Sequence, residues 1–299
     1  MRSAALRARI LAAAARSAPP LVLDGALGTE LERRGVATDL PLWSARALWE
    51  APEVVLAIHR DAVRAGAEAL TANTFRTQRR TLARADRGDQ AAALASLAIA
   101  LAREAAAEIS PAAFVLGSVA PLEDCYRPDL VPDEASLARE HAEHAAHLAA
   151  AGADALWIET MNTAREAAAA ARAARATGLP FVASFVCDGR ARLLSGEPLA
   201  AGLDAVVRAG PLAVSVNCLA PEAVEPCLAA LAATGLPFGA YPNLGAPDPV
   251  RGFAPSDAVS PAALARAARR WIAAGAAFVG GCCGTHAGHV RALAEAAHG

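Results

Sequence analysis

The chain has 299 residues, 55% of them hydrophobic, and its 28 basic and 30 acidic side chains leave a formal net charge of −2. That balance supports a large core and excludes a disordered chain or a basic nucleic-acid surface. Lysine is absent, so lysine-dependent aldolases, pyridoxal-phosphate enzymes and P-loop hydrolases are excluded as well.

In chain order, residues 2–16 read first as an amphipathic helix. Arg2, Arg7, Arg9 and Arg16 surround an apolar run, Ile10 to Ala15, that is too short for a secretory signal. Elsewhere the apolar stretches are broken by arginine, so no membrane span is expected. The expected compartment is the reducing cytoplasm, where the six cysteines remain thiols. Short apolar runs then alternate with long Ala/Leu/Arg stretches. The expected strands are Leu21–Asp24, Ala69–Asn73, Phe114–Ser118, Ala155–Glu159, Phe181–Val186, Ala213–Cys218, Phe238–Tyr241 and Ala277–Gly280. Glycines at 66, 152, 178, 235 and 275 precede several of them, as left-handed stops at helix ends. Eight strands with helices between them predict an α/β protein, a single (β/α)₈ barrel over residues 19–299 behind an N-terminal helix over residues 1–18.

A barrel gathers its chemistry at the C-terminal ends of its strands. Those ends carry Asp24, Asn73, Ser118, Glu159, Asn217, Cys218, Tyr241, Asn243, Cys282 and Cys283. Three thiols, Cys218 after the sixth strand and Cys282–Cys283 after the eighth, suit zinc, which takes soft ligands in a tetrahedron. Neighbouring cysteines reach one metal only where the chain leaves strand geometry, and the Gly280-Gly281 and Gly284-Thr285 frame allows that turn. Three protein ligands leave a fourth position open, as in a catalytic site. Cys187 and Cys227 read as small apolar core residues. His141, His144 and His147 read as one solvated or partly buried helix face, and His286 and His289 as the cap and surface of the last helix.

The stretches Leu23-Asp24-Gly25-Ala26-Leu27-Gly28-Thr29-Glu30-Leu31, Asn73-Thr74-Phe75, Glu159-Thr160, Asn217-Cys218, Tyr241-Pro242-Asn243 and Gly280-Gly281-Cys282-Cys283-Gly284-Thr285 run in order along almost the whole chain. Together they resemble the homocysteine S-methyltransferase family. The resemblance implies a (β/α)₈ barrel, Zn²⁺ held by Cys218, Cys282 and Cys283, and homocysteine as methyl acceptor. It also implies that Asp24 and Glu159 hold the acceptor's ammonium group, and that the backbone near Gly25 and the Asn73-Thr74 turn receive its carboxylate. The residues alone agree on one point: two carboxylates at a dry barrel mouth call for a cation. The thiol, ionised by the metal, would attack the methyl of a good leaving group. Asn243 is expected to occupy or guard the fourth metal position, with water or His286 as rivals.

The loop Gly117 to Pro128 departs from the S-methylmethionine branch, and its Tyr126, with Trp43, offers cation–π faces to an onium methyl. The expected donor is S-methylmethionine, with betaine or a corrinoid protein as alternatives. A zinc hydrolase would use His/Asp ligands instead, and a non-catalytic zinc- or thiol-binding barrel would not need Asp24 and Glu159.

Overall fold

The apolar runs become strands because each is covered on both faces, by the barrel interior on one side and by helices on the other. In this computed structural model, which describes residues 1–248 and 252–299, they are β1 (Leu21–Val22), β2 (Ala69–Ala72), β3 (Phe114–Val119), β4 (Ala155–Met161), β5 (Phe181–Phe185), β6 (Ala213–Asn217) and β7 (Phe238–Tyr241). A hairpin of β8 (Gly245–Asp248) and β9 (Gly252–Pro255) follows, and then β10 (Phe278–Val279). The main sheet runs β1-β10-β7-β6-β5-β4-β3-β2. Its pairs are parallel throughout. A parallel bridge from Leu23 to Ala69 joins its two edges. The result is the expected (β/α)₈ barrel, nearly closed.

Strand ends differ from the expectation by a residue or two. Asp24, Asn73, Cys218 and Gly280 lie just beyond their strands, where the chain turns into the loops that form the mouth. β4 runs on to Met161 through a shift of register between Ile158 and Met161, with Thr160 at φ +61°. Such a bulge re-aims the side chains next to it. The antiparallel hairpin β8–β9 was not expected, because its Gly-Ala-Pro-Asp and Gly-Phe-Ala-Pro strands carry the residues that usually break strands.

The N-terminal helix spans Arg2–Ala14 and buries Leu6, Ile10 and Ala13, which lie on one helical stripe. These three share an apolar cluster with Leu21, Ala69, Ala155, Ala213 and Ala277, all at or beside the first residues of strands, so the helix closes the barrel's N-terminal mouth. Arg9 anchors it, with Nε and Nη2 each donating to Glu68 at 2.8 Å. Among the described residues no helix is long and apolar enough to cross a membrane.

The centre of the barrel is filled by Trp157, fully buried, whose Nε1 donates to the Tyr241 hydroxyl at 3.1 Å and whose rings meet Phe278 edge-on at 5.2 Å. Removing a buried aromatic of this size leaves a cavity. Trp157→Ala is therefore expected to cost about 3–5 kcal/mol of stability. The midpoint of urea unfolding reads this directly, and an unchanged midpoint would show that the interior does not depend on Trp157.

The histidine face needs correction. On the helix Glu134–Ala150, His141 and His144 are buried, not solvated. His141 Nε2 lies 3.2 Å from Glu166 Oε1, and His144 Nε2 lies 3.3 Å from the Ser118 carbonyl oxygen. The face packs on the helix Ala164–Ala176 and on β3.

Candidate functional site

Asn217, the last residue of β6, is clamped from two sides. Its Oδ1 accepts from the Thr160 amide at 2.8 Å and from Ser184 Oγ at 2.7 Å, and its Nδ2 donates to Thr160 Oγ1 at 2.8 Å. This fixes the β4 bulge beside the β6 terminus. The next residue, Cys218, takes φ +54°, a left-handed conformation that L-residues other than asparagine and aspartate seldom adopt. Asn243 Nδ2 holds the Cys218 carbonyl at 3.2 Å. Strain at a strand end, fixed by two buried amides, marks a residue placed for a purpose.

Beyond β10 the chain leaves strand geometry, as the adjacent cysteines require. The Cys282 amide donates to the Pro242 carbonyl at 2.8 Å, and Thr285 Oγ1 caps the Cys282 carbonyl at 2.7 Å. Gly284 sits at φ +86°, and a Cβ there would meet the Leu244 carbonyl oxygen at 2.1 Å. The turn brings the Sγ atoms of Cys218, Cys282 and Cys283 within 4.8 Å of one another. Cys218 Sγ stands 2.7 Å from Cys282 Sγ. Hydrogen bonds exchanged within the cluster, and then burial, push the Cys218 and Cys283 thiols well above the ordinary range. Such thiols stay protonated at neutral pH unless a cation replaces their protons, which is what a soft divalent metal does. The donor set therefore fits zinc.

Two carboxyl groups face the same cavity. Asp24, just past β1, accepts the Thr71 amide at 2.8 Å through Oδ2. Burial raises it from 3.8 to about 8, against the pull of Thr71, and the nearby Glu159 raises it further. Glu159, on β4, accepts from Ser118 Oγ. Burial raises Glu159 from 4.5 to about 7, opposed by hydrogen bonds from Ser118 and Tyr241. Two acids held up in this way are a receptor waiting for a positive group.

The cavity has a volume of about 120 Å³ and runs from the thiols to the two acids. Trp43, Phe75, Tyr126 and Phe253, the last from the hairpin, form its aromatic walls. Gly28 permits the approach of Trp43, since a Cβ there would lie 2.4 Å from the indole nitrogen. Gly25 and Asn73 also line the cavity. Asn73 Nδ2 is taken by the Ser44 carbonyl at 2.8 Å, and its buried Oδ1 has no partner. Thr74 lies behind the wall, with Oγ1 donating to the Ser118 carbonyl at 3.0 Å and its amide to Ala72 at 2.6 Å. Asn243 is buried with an unpartnered Oδ1. His286 Nδ1 accepts from the Gly288 amide at 3.0 Å and caps the helix Ala287–His298, so the expected cap is present. Cys187 and Cys227 are buried in the core. The sequence reading missed Arg76, Asp124 and Cys125, which join the wall from the loops after β2 and β3. For Asp124 and Cys125 the one signal was that their loop, Gly117 to Pro128, departs from the S-methylmethionine branch.

The family model described as homocysteine S-methyltransferase matches residues 21–297. The homocysteine S-methyltransferase of Escherichia coli K12 is 36% identical over 91% of this chain and 94% of its own length. The methionine synthase of Mycobacterium tuberculosis is 33% identical over 92% of this chain, which spans 24% of that protein. Among solved structures, the E. coli homocysteine methyltransferase MmuM in its metallated form superposes with a TM-score of 0.81 at 30% identity, covering 96% of this chain and 99% of the other. A thiol triad and an acid pair on one barrel mouth thus coincide with a match along the whole chain, and the protein is an enzyme of the homocysteine S-methyltransferase family.

Proposed function

We infer that the enzyme transfers a methyl group from a small onium donor, S-methylmethionine first among them, to the thiol of homocysteine, giving methionine. One observation carries the reading: three thiols from two strand ends converge on an aromatic-walled cavity that two raised carboxyl groups also line. A thiol at one end and an ammonium at the other describe a short amino-acid thiol. Cys218, Cys282 and Cys283 would hold zinc, which supplies the positive charge that draws off the acceptor's thiol proton. Asp24 and Glu159 bind the ammonium and become carboxylates as they do so. The backbone at Gly25 and the Asn73-Thr74 turn border the acceptor's carboxylate. Trp43 and Tyr126 exclude water and offer ring faces to the onium methyl. Six unpaired cysteines suit a reducing compartment such as the cytoplasm. A donor screen with homocysteine, read as methionine formed, tests the reading; no methionine from any onium donor would overturn it.

The metal shell gives a second test. X-ray absorption on the zinc-loaded protein is expected to show three sulfurs and one oxygen, the oxygen from water or from Asn243 Oδ1, which has no partner of its own. Homocysteine should convert the shell to four sulfurs. Imidazole scattering would point to His286 instead, and a shell that homocysteine leaves unchanged would refute thiol ionisation at the metal.

A further inference from the structure

Arg76 is a buried cation with no ion-pair partner among the described residues. Only 6% of its surface is exposed, and it lines the cavity beside Phe75, over whose ring its guanidinium carbon sits at 5.2 Å. Among the described residues its guanidinium has one hydrogen-bond acceptor: Nη1 donates to the Glu123 carbonyl at 2.8 Å. Its Nε is buried without a partner. Among the described residues no carboxylate oxygen comes within 4 Å of it. Asp124 shares the wall, but its Oδ1 accepts the Tyr126 amide at 2.9 Å. An arginine desolvated in this way is stable only if an anion completes it, and a planar fork of donors matches a carboxylate.

We propose that Arg76 is the receptor for the carboxylate of the methyl donor, so that the enzyme selects onium donors that carry one. This rests on the onium-donor reading above. The alternative source of a carboxylate is the acceptor, and the geometry favours the donor. In an amino acid the ammonium and carboxylate sit on one carbon, two bonds apart, so an arginine holding the acceptor's carboxylate would stand beside the acids that hold its ammonium. Asp24 and Glu159 are held at the level of the strands, by the Thr71 amide and by Ser118 Oγ. Arg76 is tied instead to the loop after β3, through its bond to the Glu123 carbonyl. That loop also carries Tyr126, so a donor anchored at Arg76 keeps its onium end near the aromatic faces that stabilise it.

The test uses the zinc-loaded full chain and its Arg76→Gln variant, with zinc content and homocysteine binding as checks of folding. For S-methylmethionine the variant's KM is expected to rise at least about tenfold, while KM for homocysteine stays within about twofold. Trimethylsulfonium, which has no carboxylate, should serve both proteins equally well. Equal KM values for S-methylmethionine would overturn the assignment. So would a rise for homocysteine that is absent with 3-aminopropanethiol, since that would move the carboxylate to the acceptor. A measurement on the wild type alone covers a variant that does not fold: without homocysteine, so that no transfer occurs, calorimetry should show S-methylmethionine binding at least about tenfold more tightly than its carboxamide, and equal affinities would overturn the proposal. If the wild type forms no methionine from either donor, the methyl-transfer reading falls, and the calorimetric comparison still decides the role of Arg76.

Discussion

Replacing Cys283 with alanine is expected to empty the metal site and reduce methionine formation by more than about 100-fold, since the loss of a mere outer-shell partner of a metal ligand already costs about 10–100-fold. Cys283 is one of three thiols within 4.8 Å of one another, and no other group of three or more His, Cys, Asp or Glu side chains among the described residues could hold a metal. Two remaining thiols leave zinc with half a tetrahedron, and their pushed-up pKa values then favour protons over a weakly bound ion. The same competition predicts that zinc uptake by the wild type releases protons and weakens as the pH falls. Metal analysis after dialysis, with methionine measured in parallel, checks the prediction. Cys227→Ala is the control, because that thiol donates to the Ala223 carbonyl at 3.4 Å in the core and should leave zinc in place. Full zinc occupancy in Cys283→Ala would remove it from the ligand set.

The barrel was legible because its signals are local and repeated. Six of the eight barrel strands, β2 to β7, are mostly apolar runs of four to seven residues, and Gly66, Gly152, Gly178, Gly235 and Gly275, all at positive φ, end the preceding helices. The thiol cluster was legible for a different reason: only a break in strand geometry lets Cys282 and Cys283 share a target, and the glycines around them announce that break. Other features depend on partners far away in sequence. His141 and His144 repeat as a surface face would, yet Glu166 and the Ser118 carbonyl, from other elements, bury them. The Thr160 bulge is set by Asn217, 57 residues away. Arg76 looks like any loop arginine until the fold strips it of water and brings no acid to meet it. Sequence pattern reports which face of an element is covered; it does not report what charge stands opposite.

Glu159→Gln is expected to keep zinc but weaken homocysteine binding by about 10–100-fold, the usual contribution of about 1.5–3 kcal/mol for a hydrogen bond to a charged group. The acid is buried, it accepts from Ser118, and burial holds it near 7 while Asp24 is held near 8. In the empty cavity both are partly protonated at neutral pH, and the arriving ammonium favours their ionised forms. Binding therefore releases protons, and affinity rises with pH through the window from about 7 to 8. In the variant only Asp24 titrates, so the slope becomes shallower. Stability moves in the opposite direction. A carboxyl whose folded pKa lies above its ordinary 4.5 binds protons more tightly in the folded state, so the empty wild type loses stability as pH rises from about 4.5 to about 7. The glutamine carries no such penalty, and the empty variant should unfold at a higher denaturant concentration than the wild type at pH 8. Calorimetry with homocysteine and with 4-mercaptobutanoate, which lacks the amino group, separates the ammonium from the rest of the ligand. The variant should lose affinity for the first and not for the second, and a variant that binds both as the wild type does would give Glu159 another role.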